Sequence, residues 1–450
     1  MAMGSLFLLQ LLSLLSLLAS VIAAPTTGPS LPANDSFYVA PEGFESTAPG
    51  TILRSRPPPK PIAAFSALKV NLDSAHQLLF RSTDSHGKPI AAVTTILVPH
   101  NADYAKLLSY QVAEDAPNPN CAPSYAFQLE AATGGPLGLI LPQAELLLIA
   151  TALQRGWVVT VPDHLGTKSA FLANKLSGRI VLDNIRAALA SSDQTKIASH
   201  PTITLWGYSG GSLASGFAAE LHRDYAPELD ISGPALGGTV PSIPPIINAT
   251  NKGLFVGLIP AGIQGLANEY PEVASLIDKD IKPEKKAAFE KSKTKCISGN
   301  TIEYIGQDIY TYTSDPNIFT SGVAVPIFNE NAMGHNTPDI PLLIYKSAND
   351  EVSPVNDTDS LVTTYCDAGA QIEYKRDELS EHGSMAVLGL PDALLWLDDR
   401  MNGKPADKKC SKFTKLTSLE DPKALTTLGE SFVQVLLSLL NAPVGPIIIG

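Results

Sequence analysis

One stretch of the chain decides its fold: Ile203-Thr204-Leu205-Trp206-Gly207-Tyr208-Ser209-Gly210-Gly211-Ser212. Its first half is apolar and suits a β-strand, its second half has the pattern G-x-S-x-G, and residues 213–223 suit a helix. A strand that turns this sharply into a helix strains the backbone of the central serine and needs small residues on both sides of it. Such a turn lifts the Ser209 hydroxyl above the sheet, so we predict that Ser209 is a nucleophile.

Strand patterns and helical patterns alternate on both sides of this turn. At residues 180–190, Val181, Ile185 and Leu189 recur with a period of about 3.6 residues, which is typical of a helix. Alternation of this kind predicts an α/β fold with a mainly parallel sheet and helices on both faces. The predicted strands are residues 91–98, 107–112, 157–161, 202–206, 342–345 and 372–374, and a further helical pattern lies at 142–155.

Composition shifts divide the chain into regions. Residues 1–23 are apolar and free of Lys, Arg, Asp and Glu, which predicts a secretory signal peptide cleaved after Ala23. Residues 24–62 are rich in proline and small polar residues and predict an arm that lies across the surface. The core is expected in two parts, 63–237 and 336–412. Between them, at 238–335, the alternation stops, and so long an insert predicts a helical cap, or lid.

The last region, residues 413–450, carries an amphipathic pattern. A terminal helix that docks on the body is the expected structure, and a flap beside an active site is the alternative. The apolar residues that share one face of this helix are Leu425, Leu428, Phe432, Val435, Leu436, Leu439 and Leu440.

The overall composition excludes several classes of protein. The 450 residues are 44% hydrophobic, which argues against a disordered chain, and the formal net charge of −12 argues against a general nucleic-acid-binding role. After the signal sequence, no run offers the ~18–20 apolar residues that a membrane-spanning helix requires. We therefore expect a soluble, exported protein.

The cysteines and the glycosylation sequons agree with export. An even number of cysteines in an exported chain favours disulfides, and spacing alone leaves their connectivity open. None of them has the CxxC spacing of a zinc site, so no metal is expected. The cysteines are Cys121, Cys296, Cys366 and Cys410, and the sequons place candidate glycans on Asn34, Asn248 and Asn356.

A serine hydroxyl is a weak nucleophile and needs a base within hydrogen-bond reach. In α/β-hydrolases the chain order is serine, acid, histidine, which leaves His222, His335 and His382 as candidate bases. His222 lies too close in sequence to fold back over Ser209, and His335 ends the helical insert. Because His382 follows a predicted strand within a polar loop, we predict that His382 is the base.

The acid is expected in the loop that follows the predicted strand at 342–345. Asp350 would orient the imidazole and stabilise the imidazolium that forms on attack, with Glu351 as its immediate rival and Asp357 as a further alternative. The oxyanion of the tetrahedral intermediate needs donors. The backbone N–H of Gly210 is one by position, and the loop at 110–117 is expected to supply the second.

The pair Asp163-His164 lies at the end of another predicted strand. It could bind a metal or act as an acid/base pair. A carboxylate that caps nearby backbone is the favoured interpretation, because no third ligand is apparent in the sequence.

With these residues in hand, the chain resembles the fungal secretory lipase family, of the Candida antarctica lipase A type, across about residues 37–401. Taken together, the matching segments are far more specific than the serine motif alone. They are Phe37-Tyr38-Val39-Ala40-Pro41-Glu42-Gly43-Phe44, Cys121-Ala122-Pro123-Ser124-Tyr125, Asp163-His164-Leu165-Gly166 and Gly178-Arg179-Ile180-Val181-Leu182-Asp183.

This resemblance implies an α/β-hydrolase fold with Ser209, Asp350 and His382 as a catalytic triad. It also implies that an acidic residue shortly before Cys121 serves the oxyanion. Asp115 is our choice, with the adjacent Glu114 as the alternative. The disulfides that the resemblance implies are Cys121–Cys296 and Cys366–Cys410.

We therefore expect a secreted serine carboxylic-ester hydrolase that works through an acyl-enzyme and needs no cofactor. Acylglycerols are the default substrate, because of the resemblance. One alternative is removal of an acetyl or other short acyl group from a secondary metabolite, for example a trichothecene-type C-3 ester; another is an acyltransferase or peptidase with the same triad. We expect the insert to form a substrate tunnel with residues 253–266 as one wall. Transient contact with a lipid interface is expected, and contact with nucleic acid is not.

Overall fold

The computed structural model describes residues 28–133, 135, 137–315 and 317–446. The predicted signal peptide at 1–23 lies outside the described residues. The strands are β1 Ile52–Arg56, β2 Ala63–Ala64, β3 Leu68–Lys69, β4 Ser74–Thr83, β5 Pro89–Val98, β6 Asp103–Gln111, β7 Trp157–Pro162, β8 Thr202–Tyr208, β9 Ile231–Gly237, β10 Leu342–Ser347, β11 Ile372–Asp377 and β12 Ser411–Lys415.

Within the described residues these strands form one sheet of ten strands and a small sheet of β2 and β3. The order in the large sheet is β1-β4-β5-β7-β6-β8-β9-β10-β11-β12. From β7 to β12 every neighbouring pair is parallel, whereas β1, β4 and β5 join at one edge as antiparallel strands. The predicted mainly parallel sheet is confirmed, and each predicted strand lies within or overlaps an observed strand.

The α-helices lie mostly in the connections between strands. None of the described helices combines the length and apolarity needed to cross a membrane. The helices are α1 Pro123–Ala126, α2 Ile140–Leu153, α3 Asn174–Ala190, α4 Ser192–Thr195, α5 Gly210–Tyr225, α6 Ile243–Thr250, α7 Leu258–Ala267, α8 Pro271–Asp280, α9 Pro283–Glu290, α10 Ile297–Tyr304, α11 Ala324–Glu330, α12 Val355–Asp367, α13 His382–Leu388, α14 Leu390–Met401 and α15 Pro422–Leu439.

The sheet separates two hydrophobic clusters because successive strand residues point to opposite faces. In β10, Leu342 and Ile344 belong to one cluster with residues of α3 and α5, whereas Leu343 and Tyr345 belong to the other with residues of α2 and α14. Helices therefore cover both faces, as the alternation predicts. The cluster on the α3 and α5 face continues into the helices between β9 and β10.

The stretch between β9 and β10 is helical and contains α6 to α11. Cys296, at the start of α10, is bonded to Cys121 in the loop after β6, with a Cα–Cα distance of 5.6 Å. Cys366 is bonded to Cys410, with a Cα–Cα distance of 5.7 Å. The first bond therefore ties this helical stretch to the core, and the second joins α12 to the segment just before β12. Both pairings are those that the resemblance implies.

The N-terminal arm differs from the expected surface segment because part of it enters the sheet. Within residues 24–62, β1 pairs with β4 and forms the sheet edge. Arg56, the last residue of β1, makes an ion pair of 2.7 Å with Asp35 and stacks 3.9 Å above the ring of Phe37. At the other edge, β12 crosses the expected boundary between 412 and 413. Both edge strands are short and partly exposed, which weakens their sequence signal.

The C-terminal helix α15 packs against α14 and α2, but not through the apolar face that the sequence suggests. Its buried side chains are Ala424, Thr427, Ser431 and Ser438. In contrast, Leu425, Phe432, Leu436 and Leu440 of the predicted stripe are 58%, 64%, 44% and 79% exposed, while Leu428, Val435 and Leu439 are partly buried. Small side chains let α15 approach its neighbours closely, so docking turns much of the apolar stripe outward.

Candidate active site

Ser209 lies at the turn between β8 and α5 with φ 52° and ψ −119°. A positive φ strains a residue that has a side chain, and such strain is typical of functional positions. Two glycines make the turn possible. A side chain at Gly207 would collide with the carbonyl of Gly211, and one at Gly211 would collide with the carbonyl of Gln111. The strained serine predicted from the sequence motif is therefore what the local backbone adopts.

The side chain of His382 faces the Ser209 hydroxyl from the start of α13. Its Nε2 lies 2.9 Å from Ser209 Oγ, and its Nδ1 donates to Asp350 Oδ2 at 2.7 Å. The main chain of His382 is held as well. Its N–H donates to Glu351 at 2.8 Å, and its carbonyl accepts a hydrogen bond from the Tyr208 hydroxyl. The structure thus brings together the serine, histidine and aspartate singled out from sequence.

The Asp350 carboxyl is held by donors on both oxygens. Oδ1 accepts from the N–H groups of Val352 and Ser353 at 2.9 and 2.7 Å, and Oδ2 lies 2.8 Å from Lys346 Nζ. Burial alone would raise the pKa of Asp350, but the hydrogen bond and charge of His382, together with Lys346, hold that pKa well below its usual range. The carboxylate is therefore ionised and can stabilise a positively charged imidazole.

The two rival acids have different partners. Glu351 binds the main-chain N–H of His382 rather than its ring. Burial raises the pKa of Asp357, and the charge that opposes this shift is that of Lys346. Of the three carboxyls considered, Asp350 is therefore the one that contacts the imidazole.

Asp115 lies against the first residue of α5. A side chain at Gly210 would collide with the Asp115 carboxyl, so the glycine allows this close approach. Asp115 is buried and has a φ of 40°, and its Oδ1 has no hydrogen-bond partner among the described residues. Burial raises the pKa of Asp115 to about 7, while His382 and the backbone N–H of Asp115 oppose the rise. At neutral pH this carboxyl is therefore protonated part of the time and can then donate a hydrogen bond.

Gly210 supplies a second group to this side of the site. It is the first residue of α5, and the N–H groups of a first helical turn have no acceptor inside the helix. If Ser209 attacked a carbonyl, the tetrahedral adduct would carry an oxyanion. The N–H of Gly210 and a protonated Asp115 carboxyl are both able to donate a hydrogen bond to such an oxyanion.

The carboxyl of the adjacent Glu114 lies near His164, whose Nε2 is 3.8 Å from Glu114 Oε1. Burial and then the charge of Asp163 raise the pKa of Glu114 well above its usual value. Burial lowers the pKa of His164 to about 4, so its ring is neutral at pH 7, and its Nε2–H donates to the carbonyl of Val112 at 2.7 Å. Glu114 and His164 therefore support the loop that carries Asp115.

Asp163 has a structural environment, in agreement with the favoured interpretation of the Asp163-His164 pair. Its Oδ1 accepts from the N–H of Ser124 at 2.9 Å, and its Oδ2 accepts from the hydroxyl of Ser124 at 2.5 Å. Burial raises the pKa of Asp163 to about 7, against these two hydrogen bonds. Because its carboxyl binds α1 while the His164 ring binds the Val112 carbonyl, the two side chains do not converge on a common ligand.

An apolar cavity opens beside Ser209. Among its described lining residues, Asp115, Ser209 and Gly210 carry the polar groups. The rest of the lining is apolar, much of it from α6, α7 and α11, and the expected wall at residues 253–266 contributes four side chains. The apolar lining residues are Phe171, Leu172, Leu213, Val240, Ile243, Ile246, Ile247, Leu258, Ile259, Ile263, Leu266, Phe328 and Val352.

The predicted glycosylation sites are accessible. The sequon residues Asn34, Asn248 and Asn356 are all exposed, so burial does not prevent their modification.

Lys346 is a residue of the site that the sequence analysis missed, although the sequence carries a signal for it. It is a charged residue at the end of the apolar strand β10, four positions before Asp350, and its side chain is fully buried.

Comparisons with known proteins show that this chain is similar to lipases. A family model described as secretory lipase matches residues 132–409. Lipase A of Arthroderma benhamiae is 46% identical over 429 residues, which cover 95% of this chain and 92% of the relative. Lipase 4 of Candida albicans is 39% identical over 447 residues, which cover 97% and 96%. The solved structure of Candida antarctica lipase A in its closed state superposes with a TM-score of 0.80 at 27% identity, covering 94% of this chain and 100% of that one.

Proposed function

The chain belongs to the secretory lipase family and is a carboxylic ester hydrolase, and on that premise we propose that it is an exported lipase that cleaves acylglycerols with Ser209, His382 and Asp350. One observation carries the proposal: the Ser209 hydroxyl lies 2.9 Å from an imidazole that is bonded to an ionised carboxylate, and it opens into an apolar cavity. A hydroxyl, a base and an acid hydrogen-bonded in this order form the arrangement that activates a serine for attack on a carbonyl.

In the proposed mechanism, Ser209 Oγ attacks the ester carbonyl while His382 Nε2 takes the hydroxyl proton. The carbonyl oxygen becomes an oxyanion that accepts hydrogen bonds from Gly210 N–H and from protonated Asp115. When the intermediate collapses, the bond to the alcohol breaks and His382 returns the proton to that alcohol, which leaves an acyl group on Ser209. Water then repeats the two steps, with His382 again as base and acid, and releases the carboxylic acid. Asp350 stays ionised throughout and stabilises the imidazolium.

The cavity favours a long acyl chain over an acetyl group. Each methylene moved from water into an apolar site contributes about 0.8 kcal/mol, so a hydrocarbon lining rewards longer chains. An acetyl group carries a single methyl group and so could contact only a few of the apolar side chains that line the cavity. No polar group in the described lining beyond the Ser209 region offers a contact to a hydroxylated natural product. Secretion, glycosylation of Asn34, Asn248 and Asn356, and transient contact with a lipid surface belong to the same proposal.

The test uses purified protein and p-nitrophenyl esters from acetyl to palmitoyl, with an emulsified triacylglycerol and a matched anilide. We expect the highest kcat/KM with medium or long acyl chains, and we expect Ser209→Ala to lower kcat by about 10⁴-fold or more. Ester cleavage that survives in Ser209→Ala would remove the proposed nucleophile. A sharp acetyl preference without emulsion activity would instead indicate an esterase of small acetylated metabolites. Faster anilide cleavage or preferred transfer to added alcohols would indicate a peptidase or an acyltransferase.

A further inference from the structure

Lys346 is a fully buried cation in direct contact with the site. Its side chain is 0% exposed, and its Nζ lies 2.8 Å from Asp350 Oδ2. The same Nζ donates to the carbonyl of Thr239 at 2.8 Å. An ammonium group is costly to bury unless it is paired and hydrogen-bonded. Lys346 is paired with Asp350 and hydrogen-bonded to the Thr239 carbonyl, and the same Asp350 carboxylate binds His382.

The second anchor of Lys346 is a shared acceptor. Thr239 follows β9 at the start of the stretch that leads into α6, and its carbonyl also accepts from the hydroxyls of Ser353 and Thr358, each at 3.3 Å. Ser353 in turn donates its N–H to Asp350. The ammonium is therefore held between the Asp350 loop and the end of β9, and its position is fixed from both sides.

We infer that Lys346 is a positioning residue. It holds the Asp350 carboxylate in the orientation that supports His382, and it compensates part of the negative charge of that carboxylate. The inference rests on the proposed triad. Asp350 Oδ2 is shared between His382 Nδ1 at 2.7 Å and Lys346 Nζ at 2.8 Å, while Oδ1 is occupied by two backbone N–H groups. With these four donors in place the carboxylate has no freedom to rotate away from the imidazole.

The cation also affects the electrostatic field at the histidine. Lys346 partly neutralises Asp350, so the field of the carboxylate at the His382 ring is weaker than that of an unpaired carboxylate. Other charged or titratable groups facing this pair are Glu351 and Asp357, with Asp115 across the site from His382 and the Tyr208 phenol beside Asp350. Among the described groups named here, Lys346 is the one that carries a positive charge, and it lies against the carboxylate that binds His382.

The test replaces the ammonium with an apolar side chain of similar length, Lys346→Met. We expect kcat to fall on the order of tenfold and the acid limb of kcat/KM to move up by about one pH unit, since one nearby charge is removed. Both an unpaired carboxylate that attracts a proton to His382 and an Asp350 that itself protonates more readily move the limb in this direction. KM should change by less than about twofold, because Lys346 is not among the described residues that line the cavity.

Lys375→Met is the matched control. Lys375 lies opposite Tyr345 on the neighbouring strand β11 and pairs with Asp392 at 2.8 Å and Glu373 at 3.0 Å. The variant removes the same charge and a similar ion pair without contacting the triad. We expect its acid limb to coincide with that of the parent enzyme. A double-mutant cycle with Asp350→Asn completes the test: in that background Lys346→Met should lower kcat by less than about threefold, because the residue through which it acts is already neutral.

A second measurement follows the rate at which a fluorophosphonate labels Ser209, detected by intact-protein mass spectrometry. Because only folded protein is labelled, the pH dependence of this rate gives the acid limb for the folded fraction of each variant. Lys346→Gln serves as the second variant should Lys346→Met fold poorly. An unchanged limb and kcat in Lys346→Met would overturn the inference. It also fails if neither Lys346 variant labels at any pH while Lys375→Met does, because Lys346 would then support the fold alone. An inactive parent enzyme would instead refute the proposed function.

Discussion

At the scale of single residues, the site depends on carboxyl groups in contrasting environments. Asp350 is ionised because cationic and N–H donors surround it, whereas burial raises the pKa of Asp115 to about 7. Glu145, behind the same loop, has a pKa raised by burial to about 8, against hydrogen bonds from Ala113 N–H and the Tyr110 hydroxyl. Two acids near one serine thus differ in charge at the same pH, which suits one to orient a base and the other to donate to an oxyanion.

The role of Asp115 predicts a pH dependence. Below about pH 7 its carboxyl is protonated and can donate, and above that pH it is ionised and repels an oxyanion, so kcat should fall as pH rises through about 7. Asp115→Asn keeps a donor and tolerates the positive φ, so we expect this alkaline limb to disappear. The measurement is kcat at saturating ester from about pH 5 to about pH 9.

Asp115→Ala is the companion variant. Loss of one oxyanion donor typically lowers kcat about 10²–10³-fold. The loss relative to the parent enzyme should be largest below about pH 7, where the parent carboxyl is protonated, and should shrink above that pH. If kcat of both variants matched that of the parent enzyme, the side chain of Asp115 would have no part in the reaction. Its backbone N–H would then be the remaining candidate.

At the scale of secondary-structure elements, the local sequence pattern predicted the strands that are regular and buried along most of their length. The strands β5, β7 and β8 are nearly continuous apolar runs and were predicted. The strand β9 was missed because Gly233 and Pro234 interrupt it. The glycine is required there, since a side chain at 233 would collide with the Pro341 carbonyl and the Trp396 ring. The close packing of distant segments against β9 therefore requires a glycine, a residue typical of turns, inside a central strand.

The orientation of α15 leads to a prediction about stability. Phe432 is 64% exposed, so Phe432→Ser should change the free energy of unfolding by less than about 0.5 kcal/mol. Ala424 is 1% exposed in the face that is docked, so Ala424→Leu should destabilise by about 1–3 kcal/mol through overpacking. Denaturant unfolding of the two variants checks this order. The reverse order would mean that α15 docks through its apolar stripe.

At the scale of the whole molecule, two clusters on opposite faces of one sheet are joined to the helical stretch that covers the site. The cavity exists because α6, α7 and α11 return over the sheet edge where Ser209 lies. Cys121–Cys296 fixes this covering stretch to the loop after β6, which also carries Asp115. The apolar cavity and the loop that carries Asp115 are therefore linked by one covalent bond.

The two disulfides should differ in their contribution to stability. Cys121–Cys296 closes a loop with a sequence separation of 175 and Cys366–Cys410 one of 44. Chain entropy alone then assigns about 5 kcal/mol to the first and about 4 kcal/mol to the second. We expect the double Cys→Ser variant of the first pair to unfold at the lower temperature, measured without reductant. Equal or inverted melting temperatures would show that loop entropy does not decide the difference.

The sequence by itself determined the α/β class, the strained serine between a strand and a helix, and the order of serine, acid and histidine. The class and the strained serine follow from local sterics and periodicity, which neighbouring residues settle among themselves, whereas the order of the three residues follows from the chain order typical of α/β-hydrolases. Tertiary structure decided between Asp350 and Glu351, between Asp115 and Glu114, which face of α15 is buried, and what Lys346 contacts. In the first three cases adjacent residues have similar chemistry or a helix offers two faces, and only the backbone direction imposed by distant segments selects the side chain that faces its partners. Lys346 depends on distant segments as well, because the Thr239 carbonyl that it binds follows another strand.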